Sequence, residues 1–305
     1  MTDFPRNGDP QSCYGFSLTS EIDLRFTRPG ASADAIEIAE MRGSEPVHDE
    51  PEILQWLTPN GVAGKLYGGG AIFDFWAEGA GWFRMAPHER TVEVPPGNDA
   101  VRREVHLWGV PSMVTFTRLG DLSLHAAAVE RDGCAVLVAA PGQHGKTTLS
   151  VALHAAGCRL LSEDISRLQV GREPIVLPGP TVVRMRPDTF LGVPEGMQMV
   201  EESTRVHLEA TRDRVGTADP VPVAAVVLLR LSENGELRMQ RCDPTAALRD
   251  LWALAFRIPV SDDRARAFQQ LADLVSAVPV YDFWRPLTFE TLPAAVEQVA
   301  GLCAS

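Results

Sequence analysis

The residues from Cys134 to Leu168, CAVLVAAPGQHGKTTLSVALHAAGCRLLSEDISRL, constrain the fold of this chain more than any other stretch. An apolar run from Ala135 to Ala140 is short enough for one buried strand. The turn residues Pro141, Gly142, Gln143, His144 and Gly145 follow, and then Lys146, Thr147 and Thr148. From Thr147 onward the spacing is helical. Leu149, Ala152, Leu153 and Ala156 fall on one face, and Gly157 is a stop signal. Leu160 and Leu161 predict a second strand, which runs into Glu163 and Asp164. Strand, small-residue loop, Lys-Thr, helix, strand and acidic pair make the outline of a site for a nucleotide's phosphates.

A triphosphate is a dense anion, so its loop has to offer backbone N–H groups and a helix N-terminus, not bulky side chains. In this outline Gly142, Gln143, His144, Gly145, Lys146, Thr147 and Thr148 wrap the phosphates of ATP, with GTP equally compatible. Lys146 reaches the β- and γ-phosphates, and the Thr147 hydroxyl holds Mg²⁺. Glu163 and Asp164 reach the same ion, or take the proton of an attacking hydroxyl. The full phosphate-loop pattern is G-x-x-x-x-G-K-[ST], and here Ala140 stands in place of its first Gly. If that position requires a positive φ, Ala costs roughly 1–2 kcal/mol. The competing reading is a tight turn before a helix, with Lys146 merely solvated.

The chain has 305 residues, enough for two modest domains or one large one, and 45% of them are hydrophobic. Its net charge of −12 repels a nucleic-acid backbone and argues against nucleic acid as a partner. Five cysteines lie at 13, 134, 158, 242 and 303 without metal-ligand spacing. An odd, scattered count predicts a reducing compartment and neither a disulfide nor a zinc framework. No apolar run approaches membrane-helix length, and the polar start MTDFPRNGDP does not read as a signal peptide. The expectation is a soluble, cytoplasmic protein with no membrane partner.

Residues 1–12 are polar with two prolines and are expected to fray. Residues 13–98 read as a small mixed or mostly β domain, with a hairpin at Gly68-Gly69-Gly70. Asp49, Glu50 and Asp74 read as solvated charges. Pro95-Pro96-Gly97-Asn98 marks a boundary. Residues 99–120 form the connecting segment, where Val101 to Leu119 predicts one helix. Residues 121–305 then make up the domain that carries the phosphate-loop outline. Leu122 to Val129 reads as one strand carrying His125. Arg186-Pro187-Asp188 predicts a helix start, and residues 200–220 a mobile, substrate-facing or solvated segment. Val221 to Leu231 is the strongest strand and should be central, with Glu236 to Gln240 returning after an Asn234-Gly235 turn. Helices are predicted from Asp243-Pro244, over Asp262 to Val278 and over Leu292 to Leu302, with a strand from Val278 to Phe283.

Taken together, LHAAAVERDG, APGQHGKTT, GCRLLSEDISRL, PGPTVVRMRPD, the VPVAAVVLL strand and PVYDFWRP resemble the P-loop kinases of the HPr kinase/phosphorylase type, particularly their short bacterial members. The resemblance covers roughly residues 122–302. It implies an α/β fold with a P-loop kinase core of the HPr kinase and phosphoenolpyruvate carboxykinase type, a mixed twisted sheet with flanking helices, joined to the small N-terminal β domain. It also implies ATP and Mg²⁺ as cofactors and a homo-oligomer as a possible assembly. By matching position, Lys146 and Thr147 bind phosphates and the metal, Glu163 and Asp164 stand where relatives carry Asp-Asp, and Asp164 is the base. His125 neighbours that pair, and Arg205 loosely matches a basic position. The C-terminal signature of true HPr kinases is absent from this chain.

The resulting expectation is a Mg²⁺-ATP-dependent kinase acting on a hydroxyl, either a Ser in a peptide or protein or a small metabolite. Lys146 and Thr147 neutralise charge, Asp164 activates the acceptor, His125 tunes it, and an arginine at 184, 186 or 205 stabilises the transferring group. The alternatives are a non-catalytic nucleotide-binding module and a simple NTP hydrolase.

Overall fold

A computed structural model describes residues 10–43, 45–46, 51–58, 61–202 and 204–303. Ahead of Pro95-Pro96 the described residues form strands and one short 3₁₀ turn. The strands are β1 (Gln11–Cys13), β2 (Phe16–Ser20), β3 (Arg28–Pro29), β4 (Asp34–Glu40), β5 (Glu52–Thr58), β6 (Gly61–Gly68), β7 (Phe73–Ala77), β8 (Gly81–Ala86) and β9 (Thr91–Val94). They pair as one nine-stranded sheet in the order β3-β1-β2-β4-β9-β8-β7-β6-β5. Two-residue alternation sets its buried face. Phe73, Phe75 and Ala77 point into the core, while Asp74 and Trp76 between them are part-exposed. The Gly68-Gly69-Gly70 turn joins β6 to β7 in the predicted hairpin.

The frayed start is corrected at Gln11 and Ser12. Gln11 pairs with Pro29 of β3, and Ser12 with both Arg28 of β3 and Ser17 of β2, so this segment belongs to the sheet. Residues 1–9, Asp49 and Glu50 lie outside the described residues. Asp74 is no solvated loop charge, because it sits within β7 and pairs with Arg84 on the neighbouring strand at 2.8 Å.

The single connecting helix is also corrected. It is two helices, α1 (Ala100–Leu107) and α2 (Val110–Arg118). The break falls at Trp108-Gly109, and Pro111 sits in the first turn of α2, where a missing N–H is tolerated. The Trp108 indole donates to Glu104 Oε1 at 2.9 Å, and the N–H groups of Arg25 and Phe26 each donate to the same carboxyl at 2.7 Å. Both helices share a core with the first sheet, where Leu107, Val114 and Phe116 join Phe73, Phe83 and Met85.

The remaining strands are β10 (Leu122–Leu124), β11 (Ala126–Arg131), β12 (Cys134–Ala139), β13 (Arg159–Ser162), β14 (Ser166–Gln169), β15 (Ile175–Leu177), β16 (Val182–Met185), β17 (Met197–Glu202), β18 (Val206–Ala210), β19 (Val221–Leu231), β20 (Arg238–Arg241) and β21 (Val280–Arg285). The helices are α3 (Lys146–Ala155), α4 (Arg212–Val215), α5 (Pro244–Leu254), α6 (Ser261–Ala277) and α7 (Leu292–Ala300). The second large sheet runs β10-β14-β15-β19-β12-β11-β13, with β21 also on β19 and β20 on β21. Among the described strands of this sheet, the neighbouring pairs β12–β19 and β19–β21 are parallel and the other pairs are antiparallel, so the sheet is mixed.

β19 is central, as its apolar run requires. The expected β19–β20 hairpin is corrected. β12 and β21 already occupy both sides of β19, so β20 pairs with β21 instead. Alternate residues of β12 feed two cores. Ala135, Leu137 and Ala139 pack towards α5 and α6 through Leu251, Leu271 and Leu274. Val136, Val138 and Ala140 pack towards α3 and α7 through Leu149, Leu153 and Val299.

A three-stranded sheet, β16-β18-β17, packs on the α3 side. The helix start at Arg186 is corrected to a single 3₁₀ turn, Pro187–Thr189. Much of the 200–220 segment is likewise ordered structure, not a solvated run: Val206 and Leu208 of β18 are buried in the core under α3. Among the described residues, no helix is long and apolar enough to cross a membrane.

Burial pushes the Glu104 carboxyl from its ordinary 4.5 up to about 7, against the pull of its three donors. The folded chain therefore keeps a proton that the unfolded chain releases from about pH 4.5 upward. The Glu104 contribution to stability is therefore fully present below that pH and should fall by roughly 3 kcal/mol as pH rises towards 7. Denaturant titrations at about pH 5 and pH 8 measure the slope. Glu104→Gln should flatten it; an unchanged slope in that variant removes Glu104 as its source.

Candidate active site

The site is built where β12 ends. Ala140 to Gly145 turns the chain, and α3 begins at Lys146. Gly145 caps the helix with φ +77°, a conformation that favours glycine. A methyl group there would also lie 3.0 Å from Leu287 Cδ2 and 3.5 Å from Arg285 Nη2. Gln143 also takes a positive φ of 67°, whereas Ala140 does not. The backbone penalty anticipated at Ala140 is therefore absent, because the left-handed positions of this loop are Gln143 and Gly145.

Glu163 and Asp164 occupy the bend between β13 and β14. Local side chains hold that bend. Ser162 Oγ and Ser166 Oγ share a hydrogen bond of 2.8 Å, and the Ser166 hydroxyl donates to the Ala126 carbonyl at 3.0 Å. The Tyr14 hydroxyl, from the first sheet, donates to the Ile165 carbonyl at 3.1 Å.

Across the loop, Lys146 Nζ donates to Asp164 Oδ1 at 2.7 Å and to the Glu163 carbonyl at 3.2 Å. Arg184, on β16, donates to Asp164 Oδ2 at 3.0 Å. His125 Nδ1 lies 3.3 Å from Asp164 Oδ1. The Thr147 hydroxyl donates to Glu163 Oε1.

His125 is placed by a strand break that the sequence reading ran through. β10 pairs with β14 while β11 pairs with β12 and β13, so the chain changes partners at this residue. The freed His125 N–H donates to the Leu254 carbonyl at 2.8 Å.

The electrostatics separate the two acids. Burial opposes ionisation of Asp164, but Lys146, Arg184 and His125 override it and hold the carboxyl well below the usual carboxylate range. Burial and the neighbouring Asp164 charge push Glu163 up. Burial and the Lys146 charge lower the His125 imidazole, so it is neutral at pH 7.

These groups face one cavity of about 630 Å³. Its charged lining is Lys146, Arg184, Arg186, Arg205 and Arg285 against Glu163, Asp164 and Asp188, five cations to three acids. In a chain of net charge −12, that local excess makes the cavity a place for an anion. Gly142, Gln143, Gly145, Thr147 and Thr148 line it as well. His144 is not among the lining residues; it is half-buried, with Nδ1 2.9 Å from the Gly142 carbonyl. Arg184 was one of three arginines considered from sequence, and it alone reaches Asp164. Arg285 was missed. Its signal was positional, since it ends a strand parallel to the one that feeds the loop.

Among the described residues no group of three or more His, Cys, Asp or Glu side chains can hold a metal ion. The adjacent Thr147 hydroxyl and Glu163 carboxyl nonetheless fit Mg²⁺, which takes few protein oxygens and completes its shell with phosphate and water.

No protein-family model and no curated protein matches this chain. A search of solved structures aligns it with the Hpr(Ser) kinase/phosphatase from Coxiella burnetii at 16% identity and a TM-score of 0.32, over 58% of this chain and 92% of that one.

The loop geometry yields a paired expectation. Ala140→Gly should gain nothing and lose about 0.5–1 kcal/mol, because no left-handed φ is relieved and backbone entropy is added. Gly145→Ala should lose at least ~1 kcal/mol through its φ and its contacts with Leu287 and Arg285. Thermal denaturation of the two variants checks the order, and the reverse order would contradict this loop conformation.

Proposed function

We propose that this chain is a Mg²⁺-dependent phosphotransferase of the HPr kinase type. It moves the γ-phosphoryl group of a nucleoside triphosphate, ATP or GTP, to a hydroxyl on a peptide, a protein or a small metabolite. The observation that carries this reading is the 2.7 Å contact of Lys146 with Asp164 across a cation-rich cavity, with Thr147 and Glu163 beside it.

When bound, Mg²⁺ supplies charge neutralisation at the phosphate oxygens. The chain's own groups do the rest. Gly145 and the first turn of α3 line the cavity, and their backbone N–H groups would serve as anion donors. Thr147 and Glu163 hold the metal. Lys146 and Arg184 draw charge from the transferring group.

In the arrangement described, both cations are spent on Asp164, whose carboxylate is a weak base as a result. Turning Lys146 and Arg184 towards phosphate oxygens releases that carboxylate and raises its proton affinity. Asp164 then accepts the proton of the acceptor hydroxyl. The acceptor oxygen forms its bond to the γ-phosphorus as the bond to the β,γ-bridging oxygen breaks, and the diphosphate leaves with that electron pair. Neutral His125, beside Asp164, orients the carboxylate.

Single-turnover reactions with γ-labelled ATP test this reading. Lys146→Ala should abolish ATP binding and turnover together. Asp164→Asn should keep ATP binding and lower transfer by roughly 10²-fold or more. Transfer at the wild-type rate in the Asn variant would remove Asp164 as the base. Equal phosphate release with and without hydroxyl acceptors would identify a hydrolase, and binding without turnover a regulatory module.

A further inference from the structure

Among the described residues three arginines are almost wholly buried, and two of them are fully engaged. Arg28 donates to the carbonyls of Gly179, Leu160, Leu161 and Val215. Arg167 pairs with Asp121 at 2.5 Å, donates to the Tyr14 carbonyl and lies over the Phe16 ring. Arg285 is the exception. Its residue is 2% exposed, Nη1 is buried without a hydrogen-bond partner, and Nε reaches only the Pro286 carbonyl at a long 3.4 Å. Among the described residues no carboxylate pairs with it. Buried polar groups in native proteins are nearly always satisfied, and a buried unpaired charge is more costly still. Such a group calls for a partner from outside the chain.

The fold says where that partner sits. β21 runs parallel to β19, and β19 to β12, so their C-terminal ends share one edge of the sheet. β12 passes into the Ala140–Thr147 loop at that edge, and β21 ends there with Arg285. The guanidinium packs over Gly145, the residue that caps α3, and lines the same cavity as Lys146. Lys146 and Arg184 have Asp164 to neutralise them, whereas Arg285 has nothing. Burial also draws its proton affinity below the ordinary arginine value, with no acid to offset the effect.

We propose that Arg285 is a phosphate-binding residue: its free guanidinium edge donates to a phosphate oxygen of the anion held over the Ala140–Thr147 loop. This rests on the nucleotide reading above and adds a contact to it from the far end of the chain. A planar guanidinium with two adjacent N–H groups matches phosphate geometry, and such charge-assisted bonds are strong where water is excluded. The contact also accounts for the unsatisfied Nη1, since a phosphate oxygen satisfies the donor and neutralises the charge together.

The test uses the full chain as wild type, Arg285→Gln, Arg285→Met, Arg285→Lys and Lys146→Ala. Calorimetric titration with Mg-ATP and with inorganic tripolyphosphate is set beside thermal unfolding without ligand. Arg285→Gln and Arg285→Met should each bind both probes at least about tenfold more weakly. Their ligand-free unfolding temperatures should stay level or rise, because an unpaired buried charge has been removed. Arg285→Lys should recover part of the affinity.

Unchanged affinity in the Gln and Met variants overturns the proposal. So does a lowered ligand-free unfolding temperature in both, which marks the guanidinium as a support of the fold. If those variants bind normally while Lys146→Ala does not, only the Arg285 assignment fails. If wild type binds neither probe, the nucleotide reading falls and this contact with it.

Discussion

One carboxylate holds the candidate site together. Asp164 accepts from Lys146 at the start of α3 and from Arg184 on β16, and it lies beside His125 at the junction of β10 and β11. These groups come from separate parts of the chain and converge on two oxygen atoms. Opposite charge at hydrogen-bond distance offsets the desolvation of each member, but only while all of them are present. The cluster is therefore also a store of cations. In the proposed reaction a polyanion entering the cavity would compete with Asp164 for Lys146 and Arg184, and the carboxylate it frees would become a stronger base. The acid's low proton affinity without ligand and its proposed role as a base are two states of one charge balance.

The Asp164 bend is in turn supported from the first sheet. Tyr14 donates its hydroxyl to the Ile165 carbonyl, and its own N–H donates to the Pro178 carbonyl at 2.7 Å. Arg28 bonds the carbonyls of Leu160 and Leu161, the residues that lead into the acids. It has no carboxylate partner among the described residues, and burial lowers its proton affinity only to about 10, so it remains charged and spreads that charge over peptide dipoles. Arg167 ties β14 to the Tyr14 carbonyl and to Asp121. Two of these three anchors, Tyr14 in the β1–β2 turn and Arg28 on β3, come from the N-terminal part of the chain. In this structure the N-terminal sheet braces the segment that carries the two acids.

Much of the second sheet was legible because local signals agreed with it. The apolar run of β12, the small residues after it and the helical spacing from Lys146 each point to the same strand–turn–helix unit. The central position of β19 followed from its uninterrupted apolar run, since only a strand buried on both faces needs one. The readings that failed depended on partners distant in sequence. Val101 to Leu119 carries helical periodicity throughout, yet Trp108 turns its indole to Glu104 and the helix breaks beside it. β20 follows a sound turn signal, but both edges of β19 were already taken. Leu122 to Val129 looks like one strand because its composition does not record a change of partner at His125.

Sequence alone determined the chemical types and their local spacing: a lysine and a threonine after a small-residue turn, and two acids after the next strand. Those depend on neighbours along the chain, which short-range sterics and periodicity control. Tertiary structure alone decided which arginine meets Asp164, which residues of the loop take the left-handed turn, and that Arg285 is buried beside that loop without an acid. Strand order and register set these outcomes. They arise when surfaces far apart in sequence are packed together, and no local pattern encodes that step.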